Sequence, residues 1–453
     1  MKRRDFLAGM AAAGVVGAMG TDGMSAGVMG TTHGAEPPDA GDGTRWYRGG
    51  IHHHTLWSDG DAAAEVVVSM AREMGYDFFA ITDHSVFANT ERWRTIDSKV
   101  QAALDQAEER GDPILGEIRE ITETSNEGVE ETKRQVRLAK FDELDRTFSR
   151  PGEFLLIPSE ELDRAGVDPD GRRTSIHMNI FNITQTVPKA SGAPPTEEAI
   201  RDETRRLQKI GADEGRLVAV QLNHPTWPWF DNRAEEIAAV DELTLLEPFN
   251  LTPTTNRLGT KEHESADRIW DIANTLRLSS GRKPIFATAS DDSHNYRDFS
   301  GSSCPPGRGW VMVRAKELTV EAILTAMLAG DFYATGGVIL RTCHFDPKTR
   351  KLTVEVDPKP DTKYTIRFIG TKKDCTLNYE EVPAPDREGK PGRPNRKYAD
   401  GVGTVLAEVE GTRGEYTLSD EWYVRAHIIS DRTMSSPPNG ESTVEEAWTQ
   451  PVM

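Results

Sequence analysis

From residue 49 to about residue 337, short apolar runs take turns with longer amphipathic stretches. Apolar runs bounded by polar turns predict strands at 49–54, 77–82, 154–158, 175–182, 217–223, 243–249, 284–289 and 310–313. Helical spacing of apolar residues predicts helices at 62–74, 197–210, 265–278 and 320–328. Such sustained alternation argues an α/β fold, and a barrel in particular. The stretch 96–148 breaks the rhythm with dense charge, and reads as an inserted pair of helices after the second strand. From about residue 340 the period shortens to two, as in Leu352-Thr353-Val354-Glu355-Val356 and Tyr364-Thr365-Ile366-Arg367-Phe368. Turns rich in Pro, Gly and Asp separate these runs, which predicts a small antiparallel β domain over 340–453.

The opening Met1-Lys2-Arg3-Arg4-Asp5-Phe6-Leu7 precedes a short run of small apolar residues. That run is too short to span a bilayer as a mature helix. The paired arginines followed by Phe6 and Leu7 resemble a twin-arginine export signal. Residues 1–35 are therefore expected to be the signal and the start of a linker, and 36–47 the rest of that linker. The expected location is periplasmic or secreted, with no membrane association after export.

The formal charge of −19 repels nucleic-acid phosphates over long range, which argues against stable nucleic-acid binding. It leaves room for a local cationic pocket. Three widely spaced cysteines, Cys304, Cys343 and Cys375, form no disulfide framework. Either Cys343 pairs with Cys375, or all are free thiols.

The chemistry lies in polar residues at the ends of apolar runs. In Ile51-His52-His53-His54-Thr55-Leu56-Trp57-Ser58-Asp59-Gly60, His52 and His54 share a face by strand alternation and His53 opposes them. Asp59 sits in a turn that folds a carboxylate back toward the pair. Thr82-Asp83-His84 ends the second run, with His84 as a candidate ligand and Asp83 as the partner that fixes its tautomer. Glu161 is preferred over Glu160 as a carboxylate able to bridge two cations. His177 and His224 each close an apolar run, and Asp292 and His294 again share a face, with Asp291 pointing away. Any one of these has a bland reading as a loop residue. Several strands each ending in His, Asp or Glu match the way barrel enzymes assemble metal sites at their C-terminal face.

At this point the chain resembles the PHP superfamily, named for polymerase and histidinol phosphatase. The likeness runs from about Arg48 to Gly337. It implies a distorted (β/α)7 barrel over 48–339, carrying the insertion at about 96–148. It also implies ion groups. His52, His54, Glu161 and Asp292 would hold one ion. Glu161, His177 and His224 would hold a second, and Asp59, His84 and His294 a third. The layout is also similar to the carbaryl-hydrolase branch, which cleaves carbamate esters.

This donor set suits two or three divalent ions, Zn, Mn or Fe. The expected activity is hydrolysis of a small, anionic phosphate ester by a metal-activated hydroxide, with Glu161, Asp292 and His294 as the catalytic residues. Carbamate or carboxylic ester hydrolysis on the same site is the alternative. The rival from a different class is a binding protein whose metals only stabilise the barrel. Asn179, Asn223, Trp227 and Asn250 are candidate substrate contacts.

Overall fold

The computed structural model describes residues 43–453 except 125–129, 228–230, 385, 387–391 and 441. The twin-arginine-like segment and most of the linker lie outside the described residues. β1 (Arg45–Gly50), α1 (Ala64–Glu73) and β2 (Phe78–Ile81) open the fold. β3 (Trp93–Thr95), α2 (Ser98–Arg110), β4 (Ile118–Thr124), β5 (Glu130–Arg137) and α3 (Phe141–Phe148) follow. Next come β6 (Leu155–Val167), β7 (Arg173–Phe181), α4 (Thr196–Asp213), β8 (Ala219–Leu222), α5 (Ala234–Ala238), β9 (Leu245–Asn250), α6 (Ala266–Ser279) and β10 (Phe286–Ser290). β11 (Trp310–Ala315), α7 (Val320–Ala329) and β12 (Phe332–Thr335) lead into the strand-rich remainder. That part comprises β13 (Leu340–Asp346), β14 (Lys351–Val356), β15 (Tyr364–Lys372), β16 (Tyr379–Val382), β17 (Asn395–Tyr398), β18 (Thr404–Glu410), β19 (Arg413–Thr417), β20 (Glu421–Thr433) and β21 (Val444–Thr449).

The architecture is mixed α/β around one large sheet, with small antiparallel sheets beside it. The large sheet has the order β10-β9-β8-β7-β6-β2-β1-β11-β12-β21-β20-β15-β18. β1, β2 and β6 pair in parallel, as do β8, β9 and β10. β7 runs against both neighbours, because β6 returns directly as a hairpin instead of through a helix. The turn explains this: Asp168 Oδ1 accepts from Asp170 N and Arg172 N, and Gly171 takes φ 78°. Just beyond their ends, β1 and β10 meet through a parallel bridge between His53 and Ser293, with His54 N donating to Ser293 O at 2.9 Å. Tyr47, Ile51, Phe78, Ile157, Phe181, Leu245, Val311 and Phe332 pack into one buried cluster drawn from these strands.

The inserted segment holds two helices, α2 and α3, but a strand ribbon separates them. α2 begins at Asp97, whose carboxylate accepts from Val100 N, and ends at Gly111 in the left-handed region at φ 71°. β4 and β5 then pair antiparallel beside β3 before α3 begins. The charge of Glu108, Glu109 and Arg110 sits on α2, whereas that of Glu130, Glu131, Lys133 and Arg134 belongs to an exposed ribbon. Thr122 faces Thr132, and Lys133 Nζ reaches Glu123 Oε2 at 2.8 Å across the strands. Cross-strand pairs of these types favour sheet.

β12 pairs with β21, so the last described strand lies inside the large sheet. Trp448 on β21 stacks on Phe249 of β9 with ring centroids 4.0 Å apart. Gln450 donates to Ala287 O and accepts from Ala287 N, both at 2.8 Å, and so continues the hydrogen bonding of β10 with a side chain. Arg425 on β20 is fully buried against Asp271 of α6, with contacts of 2.7 and 2.8 Å. All three cysteines are free, so the Cys343–Cys375 pair is not formed. Burial pushes the Cys343 thiol up to about 12. No helix among the described residues is long and apolar enough to cross a membrane.

Removing one partner of the Asp271–Arg425 pair strands a buried charge. Asp271→Ala should lower unfolding free energy by about 3–5 kcal/mol, measured by urea denaturation. A loss below about 1 kcal/mol would mean that water reaches Arg425.

Candidate metal centre

The chain leaves β1 extended, and alternation carries on through the three histidines. His53 turns to the opposite face, equally buried, and stacks on Phe79 at 3.9 Å, its Nδ1 3.1 Å from Ala80 O. His52 and His54 turn the other way and are fully buried. The Ser58-Asp59-Gly60 turn then folds Asp59 back. A Cβ on Gly60 would lie 2.3 Å from His54 O, so only glycine closes this turn.

Asp83 does not partner His84. Its carboxylate accepts from Thr55 N, Thr55 Oγ1, Ser58 N and Ser58 Oγ at 2.5–3.1 Å. It therefore fixes the turn that carries Asp59. Asp291 points away as expected, accepting from Gly307 N, Arg308 N and Gly309 N. Glu160 also faces away, accepting from Val187 N, and burial pushes its carboxyl up to about 8.

The nine residues singled out in the sequence converge around Glu161, which is fully buried. His52 Nε2 and His54 Nε2 lie 3.4 Å from its two oxygens, and 3.3 and 3.0 Å from Asp292 Oδ1. His177 Nδ1 and His224 Nε2 lie 3.1 and 3.4 Å from Glu161 Oε1. Asp59 Oδ1 lies 3.1 Å from His294 Nε2 and 3.8 Å from His84 Nε2. The groups His52–His54–Glu161, Glu161–His177–His224 and His54–Asp59–His84–His294 each have ligand atoms within 4.8 Å of one another. Backbone strain gathers here too: Asp292 has φ 45° and Ser85, next to His84, has φ 49°.

Burial opposes charge throughout; neighbours outweigh it at Glu161, Asp292 and His52 but not at His54. Glu161 is held well below the usual carboxylate range by the imidazoles of His84, His52 and His177, against its own desolvation. Asp292 is lowered likewise by His52 and His294. Desolvation, with Glu247, Asp292 and Glu161 overriding it, leaves His52 well above the ordinary imidazole range. His54 falls to about 3, through burial and then through His294 and His84.

The residues fit divalent ions. His52 Nε2, His54 Nε2, Glu161 Oε2 and His294 Nε2 are buried without hydrogen-bond partners among the described residues, despite carboxylate and imidazole neighbours near 3 Å. Unsatisfied buried polar atoms cost about 1–3 kcal/mol each. Imidazole and carboxylate are the ligands that Zn, Mn and Fe take.

Two residues of the site escaped the sequence reading. Glu247 accepts from or faces His52 Nδ1 at 2.8 Å, and takes hydrogen bonds from Ser290 Oγ, Gln221 Nε2 and Asn250 Nδ2. It is placed to orient the His52 ring from behind were an ion bound at Nε2. A lone charge in the apolar run Leu245-Leu246-Glu247-Pro248-Phe249 was the available signal. Asp163, two residues after Glu161, lies 3.3 Å from His84 Nδ1. The candidate substrate contacts divide. Asn223 donates to Glu161 and Asn179, Asn179 donates to Ile51 O, and Asn250 donates to Glu247 and Asp292, so all three position the site. Trp227 lies against His177 and His224, with centroids 5.1 and 5.5 Å away.

Removing Glu247 frees the His52 ring. Glu247→Gln should weaken divalent-metal affinity about 10–100-fold with little change in melting temperature of the metal-free chain, read by competition titration. Proton competition sets the pH course. His52 and His84 have raised pKa values and must lose protons to bind a metal. Affinity should thus keep rising as pH climbs beyond the ordinary imidazole value, with protons released on binding. A titration that levels off below pH 6 would contradict this.

No protein-family model matches the sequence, and no curated protein matches it significantly. Among solved structures, a protein from Bacteroides vulgatus is similar over 86% of this chain and 100% of its own, at 15% identity and a TM-score of 0.38. It is described as a two-domain protein containing a predicted PHP-like metal-dependent phosphoesterase.

Proposed function

We propose that this chain is an exported metal-dependent hydrolase of the PHP type, built on a distorted (β/α)7 barrel, and that it cleaves a small phosphate ester. The observation that carries this reading is the convergence of eight buried or half-buried ligand residues around Glu161. Bound divalent ions would acidify a water and polarise a phosphoryl oxygen.

The chain's own residues set the rest. Glu161 offers both oxygens to imidazoles of two different groups, the arrangement needed to share ions. Glu247 fixes the ring of His52, and Asn223 and Asn250 fix Glu161 and Asp292. Asp83 holds the turn that aims Asp59 at His294. Trp227 gives an apolar wall beside His177 and His224.

Charge favours an anionic substrate only when the site is full. Three divalent ions with Asp59, Glu161 and Asp292 leave about +3, and counting Glu247 and Asp163 leaves about +1, since the ions' charge dominates their site. With two ions and all five carboxylates the sum is about −1. That observation supports the second reading: a doubly loaded site suits a neutral carbamate or carboxylic ester.

Purified protein loaded with Mn or Zn should hydrolyse p-nitrophenyl phosphate faster than 1-naphthyl methylcarbamate. His52→Ala and Asp292→Ala should each lose more than about 100-fold in kcat/KM, beyond the range of outer-sphere changes. Faster turnover of the carbamate would favour the neutral-ester reading. Metal-loaded protein inert toward phosphate, carboxylic and carbamate esters would leave a metal-stabilised binding protein.

A further inference from the structure

Asp163 belongs to none of the three ion groups read from the sequence, yet it touches two of them. It follows Glu161 by two positions on β6, so strand alternation puts both carboxylates on one face. Its Oδ1 lies 3.3 Å from His84 Nδ1 and 3.7 Å from His177 Nε2. Its Oδ2 accepts from Ser85 Oγ at 3.3 Å and lies 3.4 Å from Lys189 Nζ.

An imidazole gives one nitrogen to an ion and donates its other N–H to a carboxylate or carbonyl. His84 turns Nε2 toward Asp59, and His177 turns Nδ1 toward Glu161. The nitrogens that face Asp163 are the other ones. Glu161 Oε2 also lies 2.8 Å from His84 Nδ1, but Glu161 faces four further imidazoles, those of His52, His54, His177 and His224. Asp163 faces only the imidazoles of His84 and His177 among the described residues, and its ligand atoms and theirs lie within 4.8 Å of one another. It also anchors Ser85, whose left-handed backbone fixes where His84 leaves its strand.

We propose that Asp163 is a positioning residue that orients His84 and His177 together, so that one carboxylate couples the second and third ion groups. The proposal rests on the metal-site reading above. Its consequence is linkage. Losing Asp163 loosens two ligands of two ions at once and leaves the first group, His52, His54, Glu161 and Asp292, intact.

The test is metal titration of the full chain with Mn or Zn, with bound ions counted by elemental analysis. Asp163→Asn should keep one tight ion and weaken the others together, about 10–100-fold, the range for outer-sphere partners. The metal-free variant should melt like the metal-free wild type. Asp163→Glu should restore part of the affinity, and Lys189→Met should bind as the wild type does. Unchanged affinity and ion count in Asp163→Asn would overturn the proposal, as would weakening confined to one ion. If the wild-type chain takes up no divalent ion, the metal-site reading itself falls. The two failures are therefore distinguishable.

Discussion

A carboxylate buried without solvent must be neutralised, and Glu161 is the one on which this structure turns. Its desolvation is offset only because five imidazoles from four different segments face it within 3.4 Å. Each imidazole in turn needs a strand end, a turn or a hydrogen bond to hold it there. His52 needs Glu247 behind it, Asp59 needs the turn that Asp83 pins, and His84 leaves its strand through a strained Ser85. The outer fold supplies rigid strand ends, and the inner shell supplies compensation. Strain of about 1–3 kcal/mol per unusual backbone angle persists where surroundings over-determine it.

Much of the site was legible because strand alternation is a strict rule. Period two placed His52 and His54 on one face and His53 on the other, and the structure shows His53 stacked on Phe79. The same rule separated Asp292 from Asp291. Local patterns do not report who sits behind a ligand. Glu247 looked like part of a buried apolar strand, and its partner His52 is 195 residues away in the chain. Asn179, Asn223 and Asn250 read as candidate substrate contacts; in the structure Asn223 and Asn250 donate to carboxylates and Asn179 to the Ile51 carbonyl.

The fold was legible where elements alternate and opaque where they do not. The run around 175–182 was recognised as a strand, yet only the Asp168–Gly171 turn decides that it comes back antiparallel. Dense charge over about 96–148 reads as a helical pair, and two helices are there. Exposed charge marks solvent and not secondary structure, so the ribbon of β4 and β5 between them is not legible. Cross-strand threonines and the Lys133–Glu123 pair settle it as ribbon. Composition identifies a surface; pairing identifies the element.

The placement of β21 bears on how the chain comes to be folded. It slots between β12 and β20, and Gln450 finishes the hydrogen bonding of β10. A nascent chain emerging from the ribosome must hold those edges open until residues 444–450 arrive. Pairings so distant in sequence slow folding, and exposed edges invite association with other chains. The late strand thus leaves the β12 and β20 edges unpaired until its residues are present, an exposure quite separate from the stability of the finished molecule.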